Sequence, residues 1–226
     1  MKISIAVPTY ECYGNGWLYI SELLNSIYKQ KYSNYEVVIA DQSVDDKVKK
    51  ISEVYSNFID IKYYDSSTIP RKIANNFNFA ISKCSGDIIK PMCSDDIFIN
   101  DNALEIINYS FETSPNEWLV SACYHCESIH RLHSLMTPFY HDNIHLGQNT
   151  ISSPSVLAIR RKEYFDENLS LLVDCDMYKK LYVDYGNPII IAEPLISNRM
   201  HSNQMQKNID LEIKQKEIEY CIKKYS

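Results

Sequence analysis

The stretch that decides the fold is DIIKPMCSDD, residues 87–96. Ile88, Ile89 and Met92 give a short apolar run that reads as a buried strand, and two adjacent carboxylates, Asp95 and Asp96, follow it. Facing solvent, such a pair carries no message, or it caps the next helix with Asp101. Standing in a cleft above the end of a buried strand, the pair needs a counter-charge, a metal ion or a positive ligand.

Upstream of this stretch the chain alternates. KISIAV (2–7), YEVVIA (35–40) and IDIKYY (59–64) read as strands. Apolar positions 18, 20, 23, 24, 27 and 28 give a helix over 17–30. A second helix is expected over about 46–57, and Ile73, Phe77, Ala80 and Ile81 put one apolar face on a third. ECYGNG reads as a glycine turn after the first strand. Strand and helix in alternation predict an α/β fold with a mostly parallel central sheet flanked by helices. Thr9, Asp41, Asp95 and Asp96 each follow a strand, so they collect on one sheet edge, where open α/β sheets bind ligands.

Downstream the pattern loosens. A helix is expected near 101–110 and strands at EWLVSACYHC (117–126), SVLAIR (155–160) and PIIIAEPLI (188–196). A further helix runs over about 174–184, and a last one over about 203–224 has Met205, Ile209, Ile213 and Ile218 roughly on one side. That helix can pack in cis or form a homodimer seam. Residues 128–150 are the least regular part.

The chain has 226 residues, enough for one α/β domain, and a formal net charge of -6. Without a long basic tract, nucleic-acid binding is disfavoured. An acidic protein that handles phosphate needs a local cation. Seven cysteines form no evident paired framework and suit a reducing compartment. The apolar run before Pro8 is too short for a signal peptide, and no stretch approaches a membrane span, so a cytoplasmic protein is expected. GxGxxG and GxxxxGK[ST] are both absent, so neither a dinucleotide fingerprint nor a P-loop is supported.

Five segments in order carry a family resemblance: ISIAVPTY, YEVVIADQSVDD, NNFNFAISKCSGDII with MCSDD, LLVDCDMY, and RMHSNQ. On these the chain resembles the family 2 glycosyltransferases, which have the GT-A fold. The resemblance implies a single domain over 1–226. A Rossmann-like half, 1–98, would bind the nucleotide sugar, and an acceptor-binding half, 99–226, would end in the C-terminal helix. It implies a metal-dependent inverting transfer from a nucleotide-diphosphate sugar, UDP-sugars favoured, to a hydroxyl of a saccharide acceptor. It places the base near Pro8, Thr9 and Asp41, with Asn76 or Asn78 beside it, and Asp95 near the ribose and diphosphate. Asp96 is expected to hold Mn²⁺ or Mg²⁺, with His201 able to join the metal shell. Arg199 matches a late basic element closing over the diphosphate, and Asp174 matches the base that deprotonates the acceptor. Ala40, Gln42 and Cys93 depart from the family pattern.

The chemistry fits these residue types. A divalent ion neutralises a departing diphosphate and needs only one or two protein carboxylates beside the phosphates. An imidazole ligand favours Mn²⁺ modestly. A positioned carboxylate is worth roughly 10² to 10⁴ in rate as a base. Asp174 and Asp176, two apart on a helix, do not share a face, so one can enter the cleft while the other serves solvent or the helix N-terminus. Each residue also has a structural reading. Asp174 can simply cap its helix, Asp41 can hold its own loop, Arg199 can pair with a carboxylate, and Asn76, Asn78 and His201 can make local hydrogen bonds. Cys123 and Cys126, near His125, His130, His133, His141 and His145, hint at zinc, but in a strand the two cysteines point to opposite faces. A loop touching the acceptor is the better reading of that region, with Ser153 and Ser155 as weak acceptor contacts. Two rival functions stand beside transfer: a nucleotidyltransferase, disfavoured because TYECYGNG lacks Lys and Arg, and a non-catalytic nucleotide-sugar or saccharide-binding protein.

Overall fold

The aliphatic runs of the first half become β1 (Ile3–Thr9), β2 (Tyr35–Asp41), β3 (Ile61–Asp65) and β4 (Ile88–Pro91). They pair in parallel in the order β3-β2-β1-β4. The crossovers are α1 (Gly16–Tyr28), α2 (Lys47–Tyr55) and α3 (Ile73–Lys83). Every residue of β1 is buried, as expected of a parallel strand covered on both faces. The computed structural model describes residues 1–129, 131–201 and 211–226.

The second half adds β5 (Ile97–Phe98), α4 (Ala103–Thr113), β6 (Trp118–Cys126), β7 (Leu132–Met136), β8 (Leu157–Ile159), α5 (Val173–Tyr185), β9 (Ile189–Arg199) and α6 (Leu211–Lys224). The sheet runs β3-β2-β1-β4-β8-β6-β9-β5, with β7 paired to β6. β8 is antiparallel to both β4 and β6, and β9 is parallel to β6. β1, β2, β4, β6 and β9 therefore all point the same way. Their C-terminal ends share one edge with the start of β5 and the residues leading into β8.

The structure corrects the sequence reading in the second half. The irregular segment contains β7, which is largely exposed and so lacks an apolar signal. β5 is too short to be read from pattern, and the strand expected over 188–196 continues to Arg199. His130, Met205, Ile209 and the expected start of the last helix at 203 lie outside the described residues. Within α6, Ile213 is exposed, Ile218 is half-buried against the core, and the buried residues are Glu217 and Cys221.

A polar clamp docks α6 in cis. The Glu217 carboxylate accepts the backbone N–H groups of Ser170 at 2.7 Å and of Leu171 and Leu172 at 2.9 Å. Lys224 Nζ lies 2.8 Å from Asp176 Oδ1, which also accepts the Tyr225 hydroxyl at 2.8 Å. Asp176 is thus buried against α6, rather than serving solvent or its own helix terminus.

Candidate active site

The acidic pair stands where β4 ends and β5 begins. Asp96 is 3% exposed. Its Oδ1 accepts the Arg199 backbone N–H at 2.9 Å, and its Oδ2 accepts Asn198 Nδ2 at 3.0 Å and the Ser153 hydroxyl at 3.2 Å. Burial, and then the adjacent Asp95 carboxylate, push Asp96 up to about 7. Asp95 is the more open member, and its Oδ2 lies 3.1 Å from His201 Nε2. His201 therefore meets the pair through Asp95, not through Asp96.

Among the described residues, one group of three side chains could hold a metal: Cys93, Asp95 and Asp96, with ligand atoms within 4.8 Å of one another. Burial, then both aspartates, push the Cys93 thiol well above its ordinary range, so the two carboxylates are the hard donors of the set. Oxygen ligands with an imidazole beside them fit Mg²⁺ or Mn²⁺. Cys123 and Cys126 are buried and free, and among the described residues neither belongs to a group of three side chains that could hold a metal. Below the pair, Lys90 is 1% exposed. Burial lowers it to about 7, and its Nζ donates to the carbonyls of Ser155 and of Pro91, the latter at 3.1 Å.

Two cavities adjoin at this point, and Ile73, Cys93 and Asp95 line both. The cavity on the β1 side has a volume of 520 Å³ and takes in Pro8, Thr9, Gln42, Asn76 and His201. Thr9 Oγ1 is buried and has no hydrogen-bond partner among the described residues. The floor loop is tightly folded. Cys12 and Tyr13 hold φ values of 43° and 54°, and a Cβ on Gly16 would lie 2.2 Å from the Tyr10 carbonyl. Arg71, ion-paired with Glu11, and Lys72 are the cationic side chains of this cavity, and sequence reasoning missed them. Their signal was available, since they follow Pro70 directly at the start of α3.

Three of the expected nucleotide contacts hold hydrogen bonds within the fold. Asp41 is 3% exposed, with Oδ1 accepting Ser43 N–H at 2.9 Å and Oδ2 accepting the Tyr63 hydroxyl at 2.8 Å. Asn76 lines the cavity, but its amide ties β1 to β2 by donating to the carbonyls of Thr9 at 3.2 Å and Ala40 at 3.1 Å. Asn78 lines neither cavity. It brackets Phe165, donating to its carbonyl at 2.9 Å and accepting its N–H at 2.8 Å. Polar groups in a closely packed interior take the nearest backbone partner, and these three have done so.

The cavity on the β6 side has a volume of 370 Å³, with Asp96, His125, Asn149, Ser153, Asp174 and Arg199 on its wall. Asp174 lies in the first turn of α5, where its Oδ2 accepts Asn149 Nδ2 at 2.7 Å and its Oδ1 accepts Cys175 N–H at 2.8 Å. Burial pushes Asp174 up to about 6, against these hydrogen bonds. Ser153 joins the cavity, whereas Ser155 is fully buried and accepts Cys93 N–H at 2.9 Å. Arg199 is 5% exposed. It donates to the Asp95 carbonyl at 2.9 Å, pairs with Glu22 and lies 4.7 Å over the Tyr19 ring. It braces the acidic pair from α1 and lines this cavity. The structure thus brings Asp95, Asp96, Asp174, Arg199 and His201 around one junction. Asn149 and Asn198 went unread because nothing local marks them.

This sheet, with an acidic pair where two cavities adjoin, is the arrangement expected of a glycosyltransferase domain of the GT-A type. The model of "Glycosyl transferase family 2" matches residues 4–169, and the chain belongs to that family. The poly(ribitol-phosphate) β-N-acetylglucosaminyltransferase TarS of Staphylococcus aureus is 35% identical over 107 residues, 46% of this chain and 18% of that protein. Chondroitin synthase of Escherichia coli is 28% identical over 190 residues, 79% of this chain and 26% of that one. The chain thus spans only about a fifth to a quarter of these relatives. The crystal structure of TarS 1–349 with UDP-GlcNAc matches with a TM-score of 0.72 at 22% identity, covering 93% of this chain and 62% of that one. A mannosyltransferase from Pyrobaculum calidifontis with GDP-Man and Mn²⁺ matches at 0.65 with 16% identity, covering 89% and 57%. At these identities the structural matches establish the fold alone.

Proposed function

We propose that this domain transfers a sugar from a nucleotide-diphosphate sugar, UDP-sugars favoured, to a hydroxyl of a saccharide acceptor, with inversion. The observation that carries the proposal is the junction of two cavities at Asp95, with Asp96 and Asp174 on the wall of one only. One cavity takes the nucleotide and the other the attacking hydroxyl. The solved TarS complexes with UDP-GlcNAc and with UDP support the choice of donor.

In the β1-side cavity Thr9 lies beside the nucleotide, and Lys72, with the Arg71–Glu11 ion pair next to it, faces the phosphates. Asp95 and Asp96, with His201 beside them, would hold Mn²⁺ or Mg²⁺. When bound, such an ion supplies Lewis-acid stabilisation of the departing diphosphate. In the β6-side cavity Asp174 receives the acceptor proton. Raised to about 6, it is still mostly ionised at neutral pH and is a stronger base than an ordinary aspartate. Attack from the Asp174 side, opposite the leaving group, inverts the anomeric centre. Seven free cysteines accord with a reducing, cytoplasmic setting.

The test is thermal stabilisation by a panel of UDP-, GDP- and dTDP-sugars with and without Mn²⁺. Wild type is expected to be stabilised by one nucleotide class in a metal-dependent way, and Asp96→Ala to lose that dependence. An equal response in both proteins would remove the acidic pair from the ligand site.

A further inference from the structure

The loop from Asn149 to Ser153 is fastened to α5 at two points. Asn149 Nδ2 donates to Asp174 Oδ2 at 2.7 Å and to the Ser152 carbonyl at 2.9 Å. Asn149 Oδ1 accepts the N–H groups of Ile151 at 3.0 Å and Ser152 at 2.8 Å. Both donor hydrogens and the acceptor oxygen are therefore committed. Two N–H groups facing Oδ1 fix which end of the amide points at Asp174. One helical turn beyond Asp174, the single Tyr178 hydroxyl proton is shared between the carbonyls of Ser152, 3.0 Å away, and Ser153, 2.9 Å away. Tyr178 is itself stacked on Trp118, with ring centroids 6.4 Å apart.

This fastening holds a strained backbone. Ser152 has φ of 107°, a value that L side chains rarely adopt, and it persists only where neighbours over-determine it. The same loop reaches the acidic pair, since the Ser153 hydroxyl lies 3.2 Å from Asp96 Oδ2. One five-residue segment thus spans from Asp174 to Asp96, with Asn149 at its Asp174 end.

We propose that Asn149 is a positioning residue: its side-chain N–H aims the Asp174 carboxylate into the cavity. This rests on the reading of Asp174 as the base. Asn149 itself touches no reacting atom. The other groups facing Asp174 are Cys175 and Tyr178 on its own helix and Cys93 across the cavity, each pushed up by burial. His125, Asp95, Asp96 and Arg199 line the same cavity. Because Asp96 also titrates near neutrality, the measurement must resolve Asp174 itself.

The experiment is a residue-resolved ¹³C NMR titration of aspartate carboxyl carbons in wild type, Asn149→Ala and Asn149→Asp, with Asp174→Asn assigning the signal. The pH dependence of UDP-sugar turnover, with Mn²⁺ present, is measured alongside. Asn149→Ala removes a hydrogen bond to a charged group, so the Asp174 midpoint is expected to rise by about one to two pH units. The acid limb of kcat moves with it. Rate at pH 7 falls up to about tenfold and recovers by about pH 9, with donor KM unchanged. Asn149→Asp keeps an acceptor for Ile151 and Ser152, so the loop is retained, while a like charge facing Asp174 raises the midpoint further. A midpoint and acid limb unmoved in both variants, with Asp174→Asn inactive, overturns the role of Asn149 alone. Full turnover by Asp174→Asn overturns the base reading beneath it.

Discussion

Glu217 offers the sharpest test of how the last helix builds the site. Its carboxylate, 7% exposed, accepts three backbone N–H groups from residues 170–172, the turn leading into α5. Hydrogen bonds to a charged group contribute about 1.5–3 kcal/mol each, and each buried donor left unpaired costs about 1–3 kcal/mol. The three bonds share one side chain and one turn, so their losses are not additive. Glu217→Ala is therefore expected to cost about 3–5 kcal/mol, at the upper end for a single substitution and a large part of a stability of roughly 5–15 kcal/mol. Glu217→Gln keeps an oxygen for two of the N–H groups and turns an amide N–H toward the third. It should cost about 1.5–3 kcal/mol. Urea unfolding followed through the tryptophans, Trp17 and Trp118, measures both, with the m-value required to stay constant. Glu219→Ala, on the exposed face of α6, serves as control and should stay within about 0.5 kcal/mol. Ser170, Leu171 and Val173 line the β6-side cavity, so turnover should fall in parallel with stability. A loss below about 1 kcal/mol for Glu217→Ala would refute the view that α6 organises the entry to α5.

Two further outcomes follow from the site. Without metal, Asp96 at about 7 and Asp174 at about 6 bind protons more tightly folded than unfolded, so stability should fall as pH rises from about 4 to 7. Glu36, held low against its burial by Lys2 and Lys62, and Asp166, held at about 2 by Lys224, act in the opposite sense but only below about pH 4.5. Asp96→Asn should flatten the dependence of Tm on pH between 5 and 7.5 in EDTA, and an unchanged slope would remove Asp96 as its source. Gly16→Ala would place a Cβ 2.2 Å from the Tyr10 carbonyl, displacing the loop that supplies Tyr10, Glu11, Cys12 and Tyr13 to the β1-side cavity. UDP affinity by calorimetry should drop at least tenfold, and retained affinity would mean that the loop does not form the nucleotide site.

The alternation of strands and helices was legible because it rests on local terms. A β-branched run such as ISIAV, or apolar positions three and four apart in α1, states its own periodicity without reference to distant residues. Strand order in a βα unit then puts Thr9, Asp95 and Asp96 on one edge, so the acidic pair and its cleft could be located from sequence. Spacing alone said only that Asp174 and Asp176, two apart on a helix, cannot share a face, and the family resemblance singled out Asp174. What it could not give is the partner of each polar group. Arg199 meets Glu22 across 177 positions, Asn149 meets Asp174 across 25, and Glu217 meets Ser170 across 47. Buried polar atoms must be paired, but which atom is nearest depends on how separate elements pack, and no local pattern records that. For the same reason the hydrogen bonds that Asp41 and Asn78 make within the fold could not be read in advance, and Asn149 carried no visible mark until the loop before β8 had folded against α5.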